Sequence, residues 1–302
     1  MARRVRVAAF TDQRKTSEST VQENLDWAGR IIDRIAAEKP DVIALTETFN
    51  VRRVKGTWHE LAETLDGPTM QLMRAKAREH RCYIIPAFIE RRGDRLFNTA
   101  VVIDRSGNVV GQYDKIHPTE GEIEQGITPG DTRPRVIQTD FGRIGCQICF
   151  DANWHKDWEA LAEAGAEIVF FHSAYPAGRQ LNSMATLYHI AIVAANTRTC
   201  CSVIDIDGLT LTRQGIYRDW VIADLYLDTP LFHLDYQFDK MEQVRVKYGP
   251  LVEVRVYEEE AWWRILPRSS DIGVPKIIEE FGLVTLDQYL RRATERQDRA
   301  RA

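Results

Sequence analysis

The sequence predicts an α/β fold in which mixed β-sheets are covered by helices, and three observations support this prediction. Apolar strand-like runs alternate with amphipathic helix-like segments from residue 5 to about residue 206. The first strand, helix and strand follow one another in the order of a βαβ unit. The chain has 302 residues, of which 44% are hydrophobic and 28% are charged, and this composition can fill a large core.

The βαβ unit lies at the start of the chain. Residues 5–10 form an apolar run that is typical of a buried strand. The capping-box pattern Thr20 to Glu23 then begins a helix, which carries an apolar stripe at helical spacing as far as Ala36. Pro40 ends that helix, and residues 41–45 are predicted to form the next buried strand.

The alternation of strands and helices continues to Ile206. Further strands are expected over residues 82–88, 98–104, 109–113, 143–148, 167–171 and 200–206, and the second and third of these pair antiparallel across the turn 105–108. Helices are expected over residues 58–80, with an interruption near Gly67 and Pro68, and over residues 154–164 and 181–195. Beyond Gly208 the pattern weakens, and it predicts strands over residues 221–227 and 252–257 and a charged terminal helix over residues 285–302.

Composition and charge narrow the class of protein. The net charge of −4 provides no attraction to nucleic acid or an anionic membrane, so a small-molecule substrate is favoured. No apolar run approaches the roughly 18 residues of a membrane span, and no signal-peptide pattern follows the N-terminal arginines. The five cysteines are odd in number and two are adjacent, which is typical of a reducing compartment. We therefore expect a cytoplasmic protein with a single domain over residues 1–302.

Three polar side chains lie where predicted strands end. Glu47 follows the buried run 42–45, Lys115 follows the strand that ends at Tyr113, and Cys149 follows the run 143–148. In α/β sheets, ligands bind outside the carboxyl ends of the strands. Three strands could therefore present a carboxylate, an ammonium and a thiol at one edge of the fold.

These three groups together can perform acyl transfer. A thiol becomes a nucleophile when a nearby base or cation favours its thiolate. The carboxylate of Glu47 could take the thiol proton and return it to a departing amine. The ammonium of Lys115 could stabilise the oxyanion of a tetrahedral intermediate, and the backbone N–H of Phe150 could provide a second donor.

Three segments carry a resemblance to a known family. They are DVIALTETF around Glu47, YDKIHPTEGE around Lys115 and GRIGCQICFDANW around Cys149. In this order and at about this spacing, the sequence resembles the nitrilase superfamily of carbon–nitrogen hydrolases. The resemblance covers residues 5 to about 207, whereas the segment of about 208–302 is less well matched. One departure is Thr46, which stands where the family usually has proline before the base.

The resemblance implies a four-layer αββα sandwich and a Glu–Lys–Cys triad. In this triad Glu47 is the general base, Lys115 stabilises the oxyanion and Cys149 is the nucleophile. The resemblance further implies that no metal or organic cofactor is needed, and that the chain forms a homodimer or a larger homo-oligomer.

The family also uses a second glutamate soon after the lysine. The PT…E form of the motif favours Glu122, with Glu124 next and Glu120 third. His172 and Tyr175 follow the strand that ends at Phe171, where the family lines its pocket, so they are predicted to bind substrate, with packing as the alternative.

The substrate class follows from the residues after the nucleophile. The sequence Cys-Phe-Asp resembles the amidase and N-carbamoyl-amide hydrolase branches, whereas nitrilases usually carry Cys-Trp-Glu. An amide or ureido substrate is therefore favoured. The segment PTEGE is more typical of nitrilases, so hydrolysis of nitriles stays open as an alternative.

Two readings outside this chemistry also stay open. The chain could be a catalytically silent relative that acts in binding or assembly, although such a scaffold has no chemical need for all three triad residues. Cys146 and Cys149 could form a redox pair. Positions three apart in a strand point to opposite faces, so Cys146 is instead expected in the core. Asp151 is expected to fix the turn after the nucleophile, and His117 to stabilise its loop.

Overall fold

A computed structural model describes residues 2–14, 16–197, 200–269 and 271–302, and these residues divide into two units. The larger unit spans Arg6–Leu225, and the smaller consists of residues 2–5 and Tyr226–Ala302. The expectation of a single domain over residues 1–302 stays a prediction.

The strands of the larger unit, including two that cross its boundary, are β1 (Arg4–Phe10), β2 (Val42–Ala44), β3 (Tyr83–Ile85), β4 (Ala87–Arg92), β5 (Arg95–Ile103), β6 (Val109–Asp114), β7 (Ile137–Gln138), β8 (Arg143–Ile148), β9 (Ile168–Ser173), β10 (Ala191–Asn196), β11 (Ser202–Ile204), β12 (Thr210–Arg213) and β13 (Trp220–Tyr226). Its α-helices are α1 (Val21–Ala36), α2 (Trp58–Leu61), α3 (Pro68–His80), α4 (Glu120–Glu124), α5 (His155–Glu163) and α6 (Gly178–Tyr188). Two short 3₁₀ helices span Phe49–Val51 and Cys149–Asn153.

These strands form two sheets. The first has the order β13-β1-β2-β3-β5-β4 with β6 also paired to β5, and the second has the order β12-β11-β10-β9-β8-β7. Strands β1, β2 and β3 run parallel, as do β8, β9 and β10. The sheets contact each other through β2 with β10 and β5 with β8. The two sheets therefore form the inner layers of the fold.

Helices cover the outer face of each sheet. The helices α1 and α3 pack an apolar core against the first sheet, and α5 and α6 pack a second core against the other. The order helix, sheet, sheet, helix confirms the predicted αββα sandwich. The sequence explains the first of these layers, because α1 begins with the predicted Thr20–Glu23 capping box and buries the stripe that includes Leu25, Ile31 and Ile35.

The smaller unit has a sheet and a core of its own. Its elements are β14 (Leu231–His233), α7 (Phe238–Tyr248), a 3₁₀ turn at Gly249–Leu251, β15 (Val252–Tyr257), β16 (Trp262–Pro267), α8 (Val274–Phe281) and α9 (Leu286–Arg301). The strands pair antiparallel in the order β14-β16-β15. Phe232, Trp263 and Ile277 are among the buried residues of its core.

The predicted βαβ unit and the hairpin of β5 with β6 are confirmed. The helix predicted over residues 181–195 is wrong in its second half. The helix α6 ends at Tyr188, His189 adopts a left-handed conformation with φ of 50°, and β10 begins at Ala191. Pairing with β9 and β11 on both sides decides the conformation of this apolar segment.

The single long strand predicted over residues 82–88 is divided in the structure, because Pro86 separates β3 from β4. Several elements had no clear signal in the sequence: α4, β12, β14, α7, β16 and α8. Within the described part of the chain, no helix is both long enough and apolar enough to cross a membrane.

Candidate active site

Each of the three residues predicted from strand ends emerges from a different strand. Glu47 follows β2, Lys115 comes directly after β6 and Cys149 directly after β8. Glu47 and Lys115 are almost wholly buried, and Cys149 is half-buried. The structure brings the carboxylate and the ammonium into hydrogen-bond contact, and the charges of both act on the thiol.

Lys115 lies between two carboxylates. Its Nζ donates to Oε1 of Glu47 at 3.1 Å and to both oxygens of Glu122, at 2.9 and 2.8 Å. Burial by itself would lower the pKa of Lys115, but the negative charges of Glu47, of Cys149 when ionised and of Glu122 outweigh it and raise the pKa. The side chain is therefore a fixed cation inside the site.

The short helix α4 holds Glu122 in place. The backbone N–H of Thr119 donates to Oε2 of Glu122 at 2.7 Å, and the N–H of Glu122 donates to the hydroxyl of Thr119 at 3.2 Å. Burial would raise the pKa of Glu122, but the charge of Lys115 and these donors lower it. Of the three glutamates considered, Glu122 reaches Lys115, whereas Glu120 and Glu124 are exposed.

Asn98 belongs to the same cluster, and the reasoning from sequence missed it. Its Nδ2 donates to Oε1 of Glu47 at 2.8 Å and to Oε1 of Glu122 at 3.0 Å. The amide therefore ties the two carboxylates together beside Lys115. A signal existed in the sequence, because Asn98 interrupts the apolar run of β5 and a buried polar side chain needs partners.

Cys149 occupies a sharp turn. It begins the 3₁₀ helix that follows β8, and its φ of 51° is uncommon for a residue with a side chain. Burial and then the charge of Glu47 raise the pKa of the thiol to about 12, although Lys115 and hydrogen bonds from the Ala174 backbone and the Ser173 side chain oppose this rise. The resting thiol is therefore protonated and needs a base to become a nucleophile.

The turn that follows β9 reaches the base as well as the thiol. The backbone N–H of Ala174 donates to Oε2 of Glu47 at 2.9 Å. Glu47 therefore accepts from Asn98 and Lys115 on one oxygen and from Ala174 on the other. These bonds fix the orientation of the carboxylate from two sheets at once.

Asp151 fixes the turn that carries Cys149, as predicted. Its Oδ2 accepts from the Ile148 N–H at 2.9 Å and from the Tyr113 hydroxyl at 2.8 Å, and its Oδ1 accepts from the His117 N–H at 2.8 Å. Burial raises the pKa of this carboxyl to about 6. One side chain thus connects the turn after β8 to the loop after Lys115.

An aromatic group lies at the rim beside the nucleophile. The ring of His117 stacks on Trp154 with centroids 3.8 Å apart, and its Nε2 lies 2.6 Å from Asp157, so His117 stabilises its loop as predicted. The ring of Phe150 meets Trp154 edge-on and is 37% exposed. The backbone N–H of Phe150 is in the first turn of the 3₁₀ helix, where N–H groups have no partner within the helix.

The two remaining predicted residues occupy different environments. His172 is wholly buried in β9, and its Nδ1 lies 2.6 Å from the carbonyl oxygen of Leu45. Tyr175 is half-buried, and its hydroxyl has no hydrogen-bond partner among the described residues. Burial, followed by the charge of ionised Cys149, raises the pKa of Tyr175 to about 12. The predicted substrate contacts of Phe150, His172 and Tyr175 stay predictions.

The two cysteines of the possible redox pair differ in burial, since Cys146 is buried and Cys149 is half-buried. Cys146 is wholly buried inside β8, in agreement with the prediction, and burial raises the pKa of its thiol to about 12. All five cysteines, Cys82, Cys146, Cys149, Cys200 and Cys201, are free thiols. Within the described residues, Lys115 supplies the positive charge beside Glu47, Glu122 and Cys149.

Comparison with known proteins identifies the family. Residues 6–228 match the family model described as carbon-nitrogen hydrolase, and the chain belongs to that family. This confirms the resemblance to the nitrilase superfamily.

Similar sequences and structures include amide and ureido hydrolases. A β-ureidopropionase of Arabidopsis thaliana is 32% identical over 154 residues, which are 48% of this chain and 38% of that protein. An N-carbamoylputrescine amidase of Solanum tuberosum is 27% identical over 182 residues, 58% of this chain and 61% of that protein. The chain thus spans less than two thirds of the length of these curated relatives.

Solved structures show the same fold at low sequence identity. An amidase from Nesterenkonia sp. superposes with a TM-score of 0.64 at 18% identity, covering 81% of this chain and 96% of that one. A carbon-nitrogen hydrolase from Helicobacter pylori G27 superposes with a TM-score of 0.64 at 16% identity, covering 82% and 94%.

Proposed function

We propose that this protein hydrolyses the carbon–nitrogen bond of a small amide or ureido compound through a thioester on Cys149. The observation that carries the proposal is the contact of one buried ammonium, that of Lys115, with two carboxylates beside a cysteine on a sharp turn. The family and the activities named for its similar members support the same chemistry.

In the acylation step, Glu47 takes the proton of the Cys149 thiol as the sulfur attacks the carbonyl carbon. A base is required because the raised pKa keeps the resting thiol protonated. The carbonyl oxygen becomes an oxyanion, which Lys115 and the backbone N–H of Phe150 stabilise. The carbon–nitrogen bond then breaks, Glu47 returns its proton to the leaving nitrogen, and an acyl thioester remains.

In the deacylation step, water replaces the amine. Glu47 removes a proton from that water, Glu122 assists in orienting it, and the hydroxide attacks the thioester carbon. The carbon–sulfur bond breaks, Glu47 passes the proton from the water to the sulfur, and the acid leaves. Glu122 is suited to this role because Lys115 and Asn98 hold its carboxylate toward Glu47. With a ureido substrate the product is a carbamic acid, which decomposes to carbon dioxide and ammonia.

An ammonia-release screen tests this proposal, because simple amides, N-carbamoyl amino acids and nitriles all yield ammonia. We expect release from members of the first two groups, and Cys149→Ala serves as the matched blank. Release from nitriles alone would overturn the amide and ureido assignment. Equal release by the Cys149→Ala variant would overturn the cysteine mechanism. If the wild-type protein is inactive on every one of the three groups, the alternative of a catalytically silent binding homologue is favoured.

Two further predictions accompany the proposed activity. A cytoplasmic location follows from the composition and cysteine count, and a homodimer or larger homo-oligomer follows from the family resemblance. Size-exclusion chromatography with light scattering tests the oligomeric state, and a monomer at micromolar concentration would contradict that prediction.

A further inference from the structure

His172 lies between the strand end that presents the nucleophile and the segment that carries the base. It lies near the carboxyl end of β9, in register with Ile148 of β8 on one side and Ala195 of β10 on the other. Ile148 directly precedes Cys149. The imidazole is therefore next to the strand end that presents the nucleophile.

The ring makes one hydrogen bond, and this bond crosses between the sheets. Its Nδ1 lies 2.6 Å from the carbonyl oxygen of Leu45, which belongs to the chain leaving β2 two residues before Glu47. A carbonyl oxygen can only accept, so Nδ1 carries the proton. The bond therefore connects β9, which pairs with the strand of the nucleophile, to the segment that carries the base.

The turn that follows β9 holds the base at a second point. Two residues after His172, the backbone N–H of Ala174 donates to Oε2 of Glu47 at 2.9 Å. The end of β9 and the turn after it thus bond both to the backbone before the base and to the carboxylate itself. These two bonds together orient the carboxylate of Glu47, since one fixes the backbone two residues before it and the other fixes its side chain.

The chemistry of the ring argues against a role in packing alone. The rest of β9 before it is the apolar run Ile168 to Phe171, and an apolar side chain would fill this position without burying polar atoms. Nε2 of His172 is buried and has no partner among the described residues. The neutral ring agrees with burial, which lowers the pKa of His172 to about 4.

We propose that His172 is a positioning residue, whose Nδ1–H holds the carbonyl of Leu45 and so aims Glu47 at the Cys149 thiol. This inference rests on the proposed function, because the aim of Glu47 matters only when it acts as the base. It assigns to His172 a contact with the protein backbone in place of a contact with substrate.

Three variants separate this role from packing. Asparagine places an N–H donor near the position of Nδ1, glutamine places it near Nε2, and leucine provides none. We expect His172→Asn to keep kcat within about threefold of wild type, whereas His172→Gln and His172→Leu lose about 10- to 100-fold in kcat with little change in KM, since small displacements of a catalytic group cost this much. Thermal melts confirm that each variant is folded, and His80→Leu controls for loss of a histidine at the surface.

The outcomes distinguish failure of this inference from failure of the proposed function. Equal kcat for the asparagine and glutamine variants, with wild-type protein active, would overturn the positioning role alone. If wild-type protein releases no ammonia, the proposed function fails, and the rate of Cys149 alkylation by iodoacetamide becomes the readout. Asparagine is then expected to preserve the wild-type alkylation rate better than glutamine or leucine, and equal rates would overturn the inference.

Discussion

Both carboxylate oxygens of Glu122 accept hydrogen bonds from the ammonium of Lys115, at 2.9 and 2.8 Å. The same ammonium also contacts Glu47 at 3.1 Å. Two acids are thus held close together in the interior by one cation. The charge balance of the site therefore depends on Lys115.

Replacement of Lys115 by methionine should impair both stability and activity. The change leaves two buried carboxylates facing each other, and removal of one partner of a buried ion pair typically costs about 3–5 kcal/mol in the free energy of unfolding. Loss of the oxyanion donor should lower kcat by about 100- to 1,000-fold. Urea unfolding and ammonia release measure the two effects.

The pH dependence of this variant has a definite sign. Lys115 lowers the pKa of Glu122, so its removal raises that pKa. A carboxyl with a raised pKa in the folded state is stabilised by protonation, so part of the lost stability should return as the pH falls toward the ordinary pKa of a glutamate. Lys76→Met is the matched control, because Lys76 also contacts two carboxylates, Asp33 and Glu79, but at the surface. It should lose less than about 1 kcal/mol.

Replacement of Glu122 by glutamine should separate the two chemical steps. Glu47 and Cys149 remain, so the first equivalent of amine is still released, but water attack on the thioester slows by about 100-fold. Rapid-quench kinetics should show a burst of one equivalent per site followed by a slow phase. Glu124→Gln changes an exposed glutamate of the same helix and should behave like wild type. A Glu122→Gln enzyme with no burst and normal steady-state turnover would rule out this role.

Asp151 should impose an acid limit on activity. Its two oxygens accept three donors, and protonation removes acceptor capacity from the carboxyl and so weakens its hold on the turn of Cys149. Because burial raises its pKa to about 6, kcat should fall as the pH drops through about 6. In Asp151→Asn the group no longer titrates, so kcat should be about tenfold lower and this acid limb should disappear. An unchanged limb in the variant would assign it to another group.

The placement of the triad was predictable because its signals are local. Glu47, Lys115 and Cys149 each follow a strand that can be read from the sequence, and the carboxyl ends of strands are where α/β folds bind ligands. Of the three candidate glutamates, the structure brings Glu122, which the PT…E form of the motif favours, into contact with Lys115. Its capping box with Thr119 holds the carboxylate there, and its role as the second glutamate stays a prediction.

What could not be predicted depends on contacts between residues far apart in sequence. Residues 189–195 were expected to continue a helix, but pairing with neighbouring strands on both sides makes β10. The bond between His172 and Leu45 joins residues 127 positions apart, and that between Tyr113 and Asp151 joins residues 38 apart. Periodicity contains no information about such pairs.

The central claim is that Cys149 becomes acylated, and peptide mapping of an acid-quenched turnover mixture tests it most directly. The mixture would contain the Glu122→Gln variant, in which the thioester should accumulate, and the amide or ureido compound with the highest rate in the screen. We expect the mass of the peptide that contains Cys149 to increase by the mass of the acyl group. No adduct should form in the double variant that carries both Glu122→Gln and Cys149→Ala. Undiminished turnover by Cys149→Ala alone, or an adduct on any other cysteine, would contradict the account.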